Sequence, residues 1–429
     1  MTRVPAGRDH ARRTPGRGRR RRNSSLSCPC AGQGESRDPA PRPAASDEGH
    51  RVTTFELFFD LVYVYAFTQV SHLMAEGHSA LGVLQALIVI GLLWWTWTSF
   101  SWLANQSPAD QGVLRAGMSV AMATIFVATL AIPEAFHDLL GGLDGPVVFV
   151  VAYGIVRLVH MSLYLVAGRD DPALQRQVLR TQVVAFLPAF VLLLVGAFVG
   201  EPAQTWIWLF AVAWDLALTL LTGRRGDWRL QSPSHWAERY GLVVILALGE
   251  SVVAIGVGAS ALPVSVPVIT GAVLCVALAL VLWWVYFPGC ANSAERALAQ
   301  KDGVARAEYA TLAYTYLHYV LIAGVVVASL GVEEAMADVG SAEPFGVFGA
   351  AVLCGGVATY LVGTAVLLRS AGRAWSWVRL LGAATATALV PLLAALPSLA
   401  GLVVIVVVAY VFAVTEVRVY ARAYGEPSA

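Results

Sequence analysis

Two carboxylates, Glu56 and Asp60, stand four residues apart inside an apolar run, TFELFFDLVYVYAFTQVSH (Thr54–His72), that is long enough to enter a bilayer. That spacing puts both on one face of a helix. A charged side chain in hydrocarbon costs roughly 2.5–3.5 kcal/mol on insertion scales, so such groups mark ion or proton pathways, or buried clamps. Gln69, His72 and Glu76 share a second face toward the other end of the same run. Asp60 and Gln69 fall on nearly opposite sides. The helix is therefore expected to sit centrally, with protein or water on both sides, and to handle protons or cations. The alternative is a pair of clamps. Glu56 and Asp60 would hold an interfacial arginine such as Arg51, and Gln69 and His72 would bond neighbouring helices.

Three further segments carry polar groups in apolar surroundings. Glu250 lies in Gly249-Glu250-Ser251. Arg239 shares its helical face but is three turns away, too far to pair with it. Tyr153, Arg157, His160 and Tyr164 follow one another at helical spacing and form a single stripe. Arg157 falls close to mid-bilayer and needs an anion; Asp215, Glu250 and Asp60 are the candidates. Glu308, Thr311, Thr315 and His318 make a looser stripe. A hydrated His318 would titrate near neutral pH, whereas a dry one would be a hydrogen-bonding strut. The tryptophans at 94, 95, 97, 102, 206, 208 and 214 read as packing and interface anchors rather than a ligand box.

Composition explains why these groups matter. The chain has 429 residues, 57% hydrophobic and 13% charged, against about 25% charged in a soluble domain. Residues 1–50 hold 11 arginines against 5 acids, and read as a disordered basic cytoplasmic tail that touches anionic lipid. RGRRRRNSS resembles the start of a twin-arginine signal, but no apolar segment follows it. An arginine-rich tail is weak ground for nucleic-acid binding, and none is expected. Five cysteines, Cys28, Cys30, Cys275, Cys290 and Cys354, form no paired zinc motif. No metal or cofactor is expected. Serine-hydrolase, zinc-protease, Walker and dinucleotide-binding patterns do not occur, so an enzyme is not expected either.

Apolar runs long enough to cross about 30 Å recur twelve times. They span roughly 55–75, 80–104, 113–132, 146–167, 178–199, 203–222, 239–261, 265–287, 308–330, 345–368, 377–396 and 399–417. The expected class is an all-α polytopic membrane protein. The odd-numbered connections contain no Lys or Arg, and two are acidic. The even-numbered ones carry Arg169 and Arg176, then Arg224, Arg225 and Arg229, then Arg296, Lys301 and Arg306, then Arg369 and Arg373. The connection after the second run is the exception, with only Arg115 beside it. The positive-inside rule then places both termini in the cytoplasm.

The halves look related. Leu61–Gln69 aligns with Leu242–Glu250, Trp94-Trp95 with Trp283-Trp284, Arg180 with Arg379, and Asp215 with Glu416. Six spans per half imply two parallel six-helix repeats, 51–224 and 238–420, joined by a linker at 225–237 and followed by a tail at 421–429.

TFELFFDLVYVYAFTQVSHLM (Thr54–Met74) together with ERYGLVVILALGESVVAIG (Glu238–Gly256) closely resembles the bacterial low-temperature-requirement A (LtrA) family. That family opens with an ELFFDLVFVFA-type helix and carries a later ER…LGES-type helix. The resemblance covers roughly residues 46–420. It implies an integral protein of the bacterial cytoplasmic membrane, named for growth in the cold, without a particular substrate. The matching positions are Glu56, Phe58, Phe59, Asp60, Gln69, His72, Glu238, Arg239, Gly249, Glu250 and Ser251. Phe58-Phe59-Asp60 also resembles, more distantly, the FSD signature of the lysosomal two-repeat potassium channels. Here Phe59 stands in place of Ser, and the second half has no such triplet.

The expectation is a secondary transporter of a small solute or ion, with its site between the two halves. Asp60, Glu250 and Asp215 would handle charge and Arg157 would be the counter-ion. His72, His160 and His318 would bond substrate or relay protons, beside Glu56, Gln69 and Ser251. A cation channel and a non-transporting membrane organiser are the alternatives. A homo-oligomer stays open.

Overall fold

The computed structural model describes residues 51–107, 109–223 and 230–424. The basic tail, Cys28 and Cys30, the arginines at 224, 225 and 229, and the last five residues lie outside the described residues.

Twelve helices are long and apolar enough to cross a membrane. They are α1 (Thr54–Gly77), α2 (Ala80–Gln106), α3 (Gly112–Leu130), α4 (Gly145–Ala167), α5 (Pro172–Val199) and α6 (Ala203–Thr222) in the first half. The second half holds α7 (Pro233–Ala259), α8 (Val266–Ala299), α9 (Gly303–Ala337), α10 (Val347–Ser370), α11 (Trp377–Ala395) and α12 (Ser398–Val419). Every expected run is one of them. The described residues contain one isolated β-bridge, Pro344 to Pro397, and no strand.

Local chemistry sets the helix starts. Thr53 caps α1: its hydroxyl accepts from the Glu56 amide, while Glu56 accepts from the Thr53 amide at 2.8 Å. Ser79, Asp144, Ser232 and Ser265 cap α2, α4, α7 and α8 in the same sense. Pro146, Pro233 and Pro267 stand in the first turns of α4, α7 and α8, where a missing amide proton costs nothing.

The fifth, eighth and ninth spans run longer than expected, and each contains a π-helical turn. The α5 turn, Gln182–Phe186, has a visible cause. Pro188 has no N–H for the Val184 carbonyl four residues back. The Trp214 indole donates to that carbonyl instead, at 3.2 Å. In α9 the π turn covers Ala310–Tyr316, and two of its carbonyls serve side chains. Trp94 Nε1 donates to Thr315 at 2.7 Å and His318 Nδ1 to Ala313 at 2.9 Å.

α2 and α9 are the most enclosed spans. α9 packs closely on α10 through small residues. A Cβ on Gly356 would meet the Ala328 amide nitrogen at 2.3 Å, and one on Gly331 the Leu353 Cα at 2.5 Å. Such approach gains dispersion energy where the hydrophobic effect offers nothing between helices. The central position expected for the first helix is corrected. Phe58 and Leu61 are 59% and 54% exposed, so α1 turns one face outward at the edge of the bundle. Glu56 and Asp60 look inward, Gln69 and His72 are half-buried, and Glu76 is exposed.

Neighbour relations within α1–α6 recur within α7–α12 at an offset of six. α1 packs on α2 and α3, as α7 does on α8 and α9. α3 packs on α4, α4 on α5 and α5 on α6, matched by α9 on α10, α10 on α11 and α11 on α12. Yet the aligned side chains have different surroundings. Trp94 and Trp95 are buried and Trp283 and Trp284 exposed. Arg379 binds Glu416 at 2.6 Å, whereas Arg180 is exposed and Asp215 takes Arg157.

Candidate functional site

The groups singled out in the sequence fall in three places. The first is a closed charge cluster between α1 and α7. Arg239 Nη1 donates to Glu56 Oε1 at 2.8 Å, and its Nη2 to Asp60 Oδ1 at 2.7 Å. Trp97 Nε1 also donates to Asp60 Oδ1, at 2.8 Å. His235 Nε2 lies 2.9 Å from Glu56 Oε1. The tautomer of His235 follows from its surroundings. Asn105 accepts the Gln231 and Ser232 amides on its oxygen, so its nitrogen faces His235 Nδ1 as a donor. That leaves the ring proton on Nε2, pointed at Glu56. Glu56, Asp60, His235 and Arg239 are all fully buried. Removing one member would strand the others in a buried site.

His235 was not singled out in the sequence. A signal existed: His235 and Arg239 are four residues apart on α7, as Glu56 and Asp60 are on α1.

The second place lies farther along the same helix pair. Thr68 Oγ1 donates to Glu250 Oε2 at 2.8 Å, and Ser251 and Ser329 share a hydrogen bond of 2.8 Å. Gln69 and His72 are half-buried on α1. His318 belongs to neither group. Its Nδ1 donates to the Ala313 carbonyl, so Nε2 accepts from the Tyr286 hydroxyl at 2.7 Å, and the ring is a fully paired strut.

The third place is a cavity of about 520 Å³ between α2, α4, α5 and α6 on one side and α9 on the other. Arg157 and His160 line it, with Gln182 and Thr311 from the π turns of α5 and α9. Exposed Val304, Ala305 and Glu308 put its rim at the end of the bundle that carries the even-numbered connections. Arg157 Nη1 donates to Asp215 Oδ2 at 2.7 Å and to the Tyr153 hydroxyl at 2.8 Å. The sequence had left Arg157 three partners; packing selects Asp215. His160 packs edge-on against Phe100 and Tyr164, and neither ring nitrogen makes a hydrogen bond of good geometry, although the Ser99 backbone lies alongside.

Trp95 and Trp102 also line the cavity. The reading of the tryptophans as anchors holds for Trp208, which is buried and bonded to the Leu193 carbonyl, and for exposed Trp206. Trp95 and Trp102 pack too, against Tyr316 and Trp236, while they line the cavity. The sequence did not single out Gln182 and Lys301, which line it as well.

No group of three or more His, Cys, Asp or Glu that could hold a metal occurs among the described residues. What the cavity can do is bind. It offers one buried guanidinium, an imidazole, an amide and several hydroxyls against aromatic walls.

The family model for the bacterial low temperature requirement A protein (LtrA) matches residues 51–414. An uncharacterized protein of Rhizobium meliloti (strain 1021) is 28% identical over 373 residues, which cover 82% of this chain and 87% of that protein. No solved structure matches.

Proposed function

This chain belongs to the bacterial low temperature requirement A family, and we propose that it is a secondary transporter of a small solute, with the cavity beside Arg157 as its substrate site. The observation that carries this reading is the cavity itself, which is polar at its floor and open at one end of the bundle. Two π-helical turns border it. Such turns concentrate at functional sites, since they free backbone groups and let a helix shift register. The walls come from both halves of the chain, and the recurring neighbour pattern supports two parallel six-helix repeats that can move against each other.

In this reading Arg157 and Asp215 handle charge at the substrate site, while Glu56, Asp60, His235 and Arg239 fasten α1 to α7. The protein moves solute and performs no covalent chemistry. Both termini and the cavity mouth face the cytoplasm across the bacterial inner membrane, which the arginines of the even-numbered connections support.

The test is a screen of labelled small solutes against the full chain in proteoliposomes, with and without a pH gradient. Saturable uptake of at least one solute is expected. Ser99→Trp and Thr311→Trp, which fill the cavity, should abolish it. Uptake untouched by both substitutions would overturn the assignment, and unitary current steps in planar bilayers would replace it with a channel.

A further inference from the structure

Arg157 engages the protein through one nitrogen. Nη1 serves both Asp215 and Tyr153. Its Nε is buried with no acceptor, and no described residue accepts from Nη2. The residue is 3% exposed and lines the cavity. A guanidinium presents its Nε and Nη2 hydrogens as a parallel pair, spaced to meet the two oxygens of one carboxylate. The plane of that fork is fixed. Phe186 covers one guanidinium face, with Cζ 4.6 Å from the ring centroid, and Nη1 is anchored at 2.7 and 2.8 Å.

From this geometry we infer that the cavity takes a small monocarboxylate with an apolar body, its carboxylate paired with the Arg157 guanidinium. The inference rests on the cavity being a substrate site and names what that site holds. Charge argues for a monoanion. Asp215 already answers Arg157, and at the rim Lys301 is offset by Glu308, so a dianion would bring a second charge with no partner into the site. The walls argue for the apolar body. Trp95, Trp102, Leu220 and Leu312 line the same cavity. His160 lines the cavity one turn from Arg157, on the side of the rim.

The experiment is calorimetric titration of the full chain in lipid nanodiscs with benzoate, benzamide and inorganic phosphate. Benzoate and benzamide share a shape and differ in the carboxylate. Benzoate should bind at least tenfold more tightly than benzamide and than phosphate. Arg157→Lys keeps the charge and loses the fork, and should weaken benzoate at least tenfold without changing benzamide. Equal affinity for benzoate and benzamide in the wild type, which requires no variant to fold, would overturn the inference. Tighter binding of phosphate, or benzoate affinity unchanged in Arg157→Lys, would overturn it too. Benzoate binding in a chain that takes up no solute would sink the transport reading and leave this one standing. Uptake of a solute unaffected by benzoate would do the reverse.

Discussion

Arg239 of α7 sets its Nη1 2.8 Å from Glu56 Oε1 on α1, across 183 residues of chain. The two most distinctive segments of the sequence thus meet as one ion cluster, with Asp60 on the other guanidinium nitrogen at 2.7 Å. Glu56 spends its remaining oxygen on the Thr53 cap, so the start of α1 and its attachment to α7 depend on one carboxylate.

Loss of Arg239 should therefore be severe. Arg239→Ala leaves two buried carboxylates without a cation, and breaking a buried pair costs roughly 3–5 kcal/mol. Neutralising the cluster as a whole, with Glu56→Gln, Asp60→Asn and Arg239→Met together, should restore most of that loss. Thermal unfolding in detergent, followed by tryptophan fluorescence, checks both. An Arg239→Ala chain that melts with the wild type would remove the clamp from the account.

Two glycines should respond oppositely to the same methyl group. Gly356→Ala places a Cβ against the backbone of Ala328 and should push α9 from α10, seen as loss of monodisperse protein on size exclusion. Gly249 lies in the second motif, yet nothing stands within 4 Å of an added Cβ there. Gly249→Ala should fold normally. If Gly356→Ala were the tolerated one, the close packing of these two helices would be wrong.

The twelve spans were legible because a bilayer demands a minimum apolar length, which composition alone reveals. The partners were not. Periodicity describes one helix at a time, so Arg239 was weighed only against Glu250 on its own helix, while its acids lie on α1. Arg157 fared better, since a mid-membrane arginine demands an anion and few were on offer. The outward face of α1 was hidden for a related reason. Polar residues on two sides of a helix suggest enclosure, but half-buried Gln69 and His72 lie toward one end, and Phe58 and Leu61 face out at the other. The cavity depends on helix spacing and on π turns, of which only the α5 turn leaves a trace in residue type, at Pro188.

Sidedness can be read directly. In a chain with its five native cysteines replaced, Gly340→Cys should react with an impermeant thiol reagent on intact cells. Asp302→Cys, in the connection between α8 and α9, should react only after the membrane is opened. The opposite pattern would invert the topology.

The most direct test joins the cavity to movement of solute. Thr311→Cys, in the same cysteine-free chain, is reconstituted and treated with an impermeant thiol reagent from the arginine-rich face. Rapid labelling, and loss of solute uptake in step with it, is the expected result. A cysteine that stays unlabelled, or a labelled chain that carries solute as fast as before, would contradict the claim that this cavity is the route.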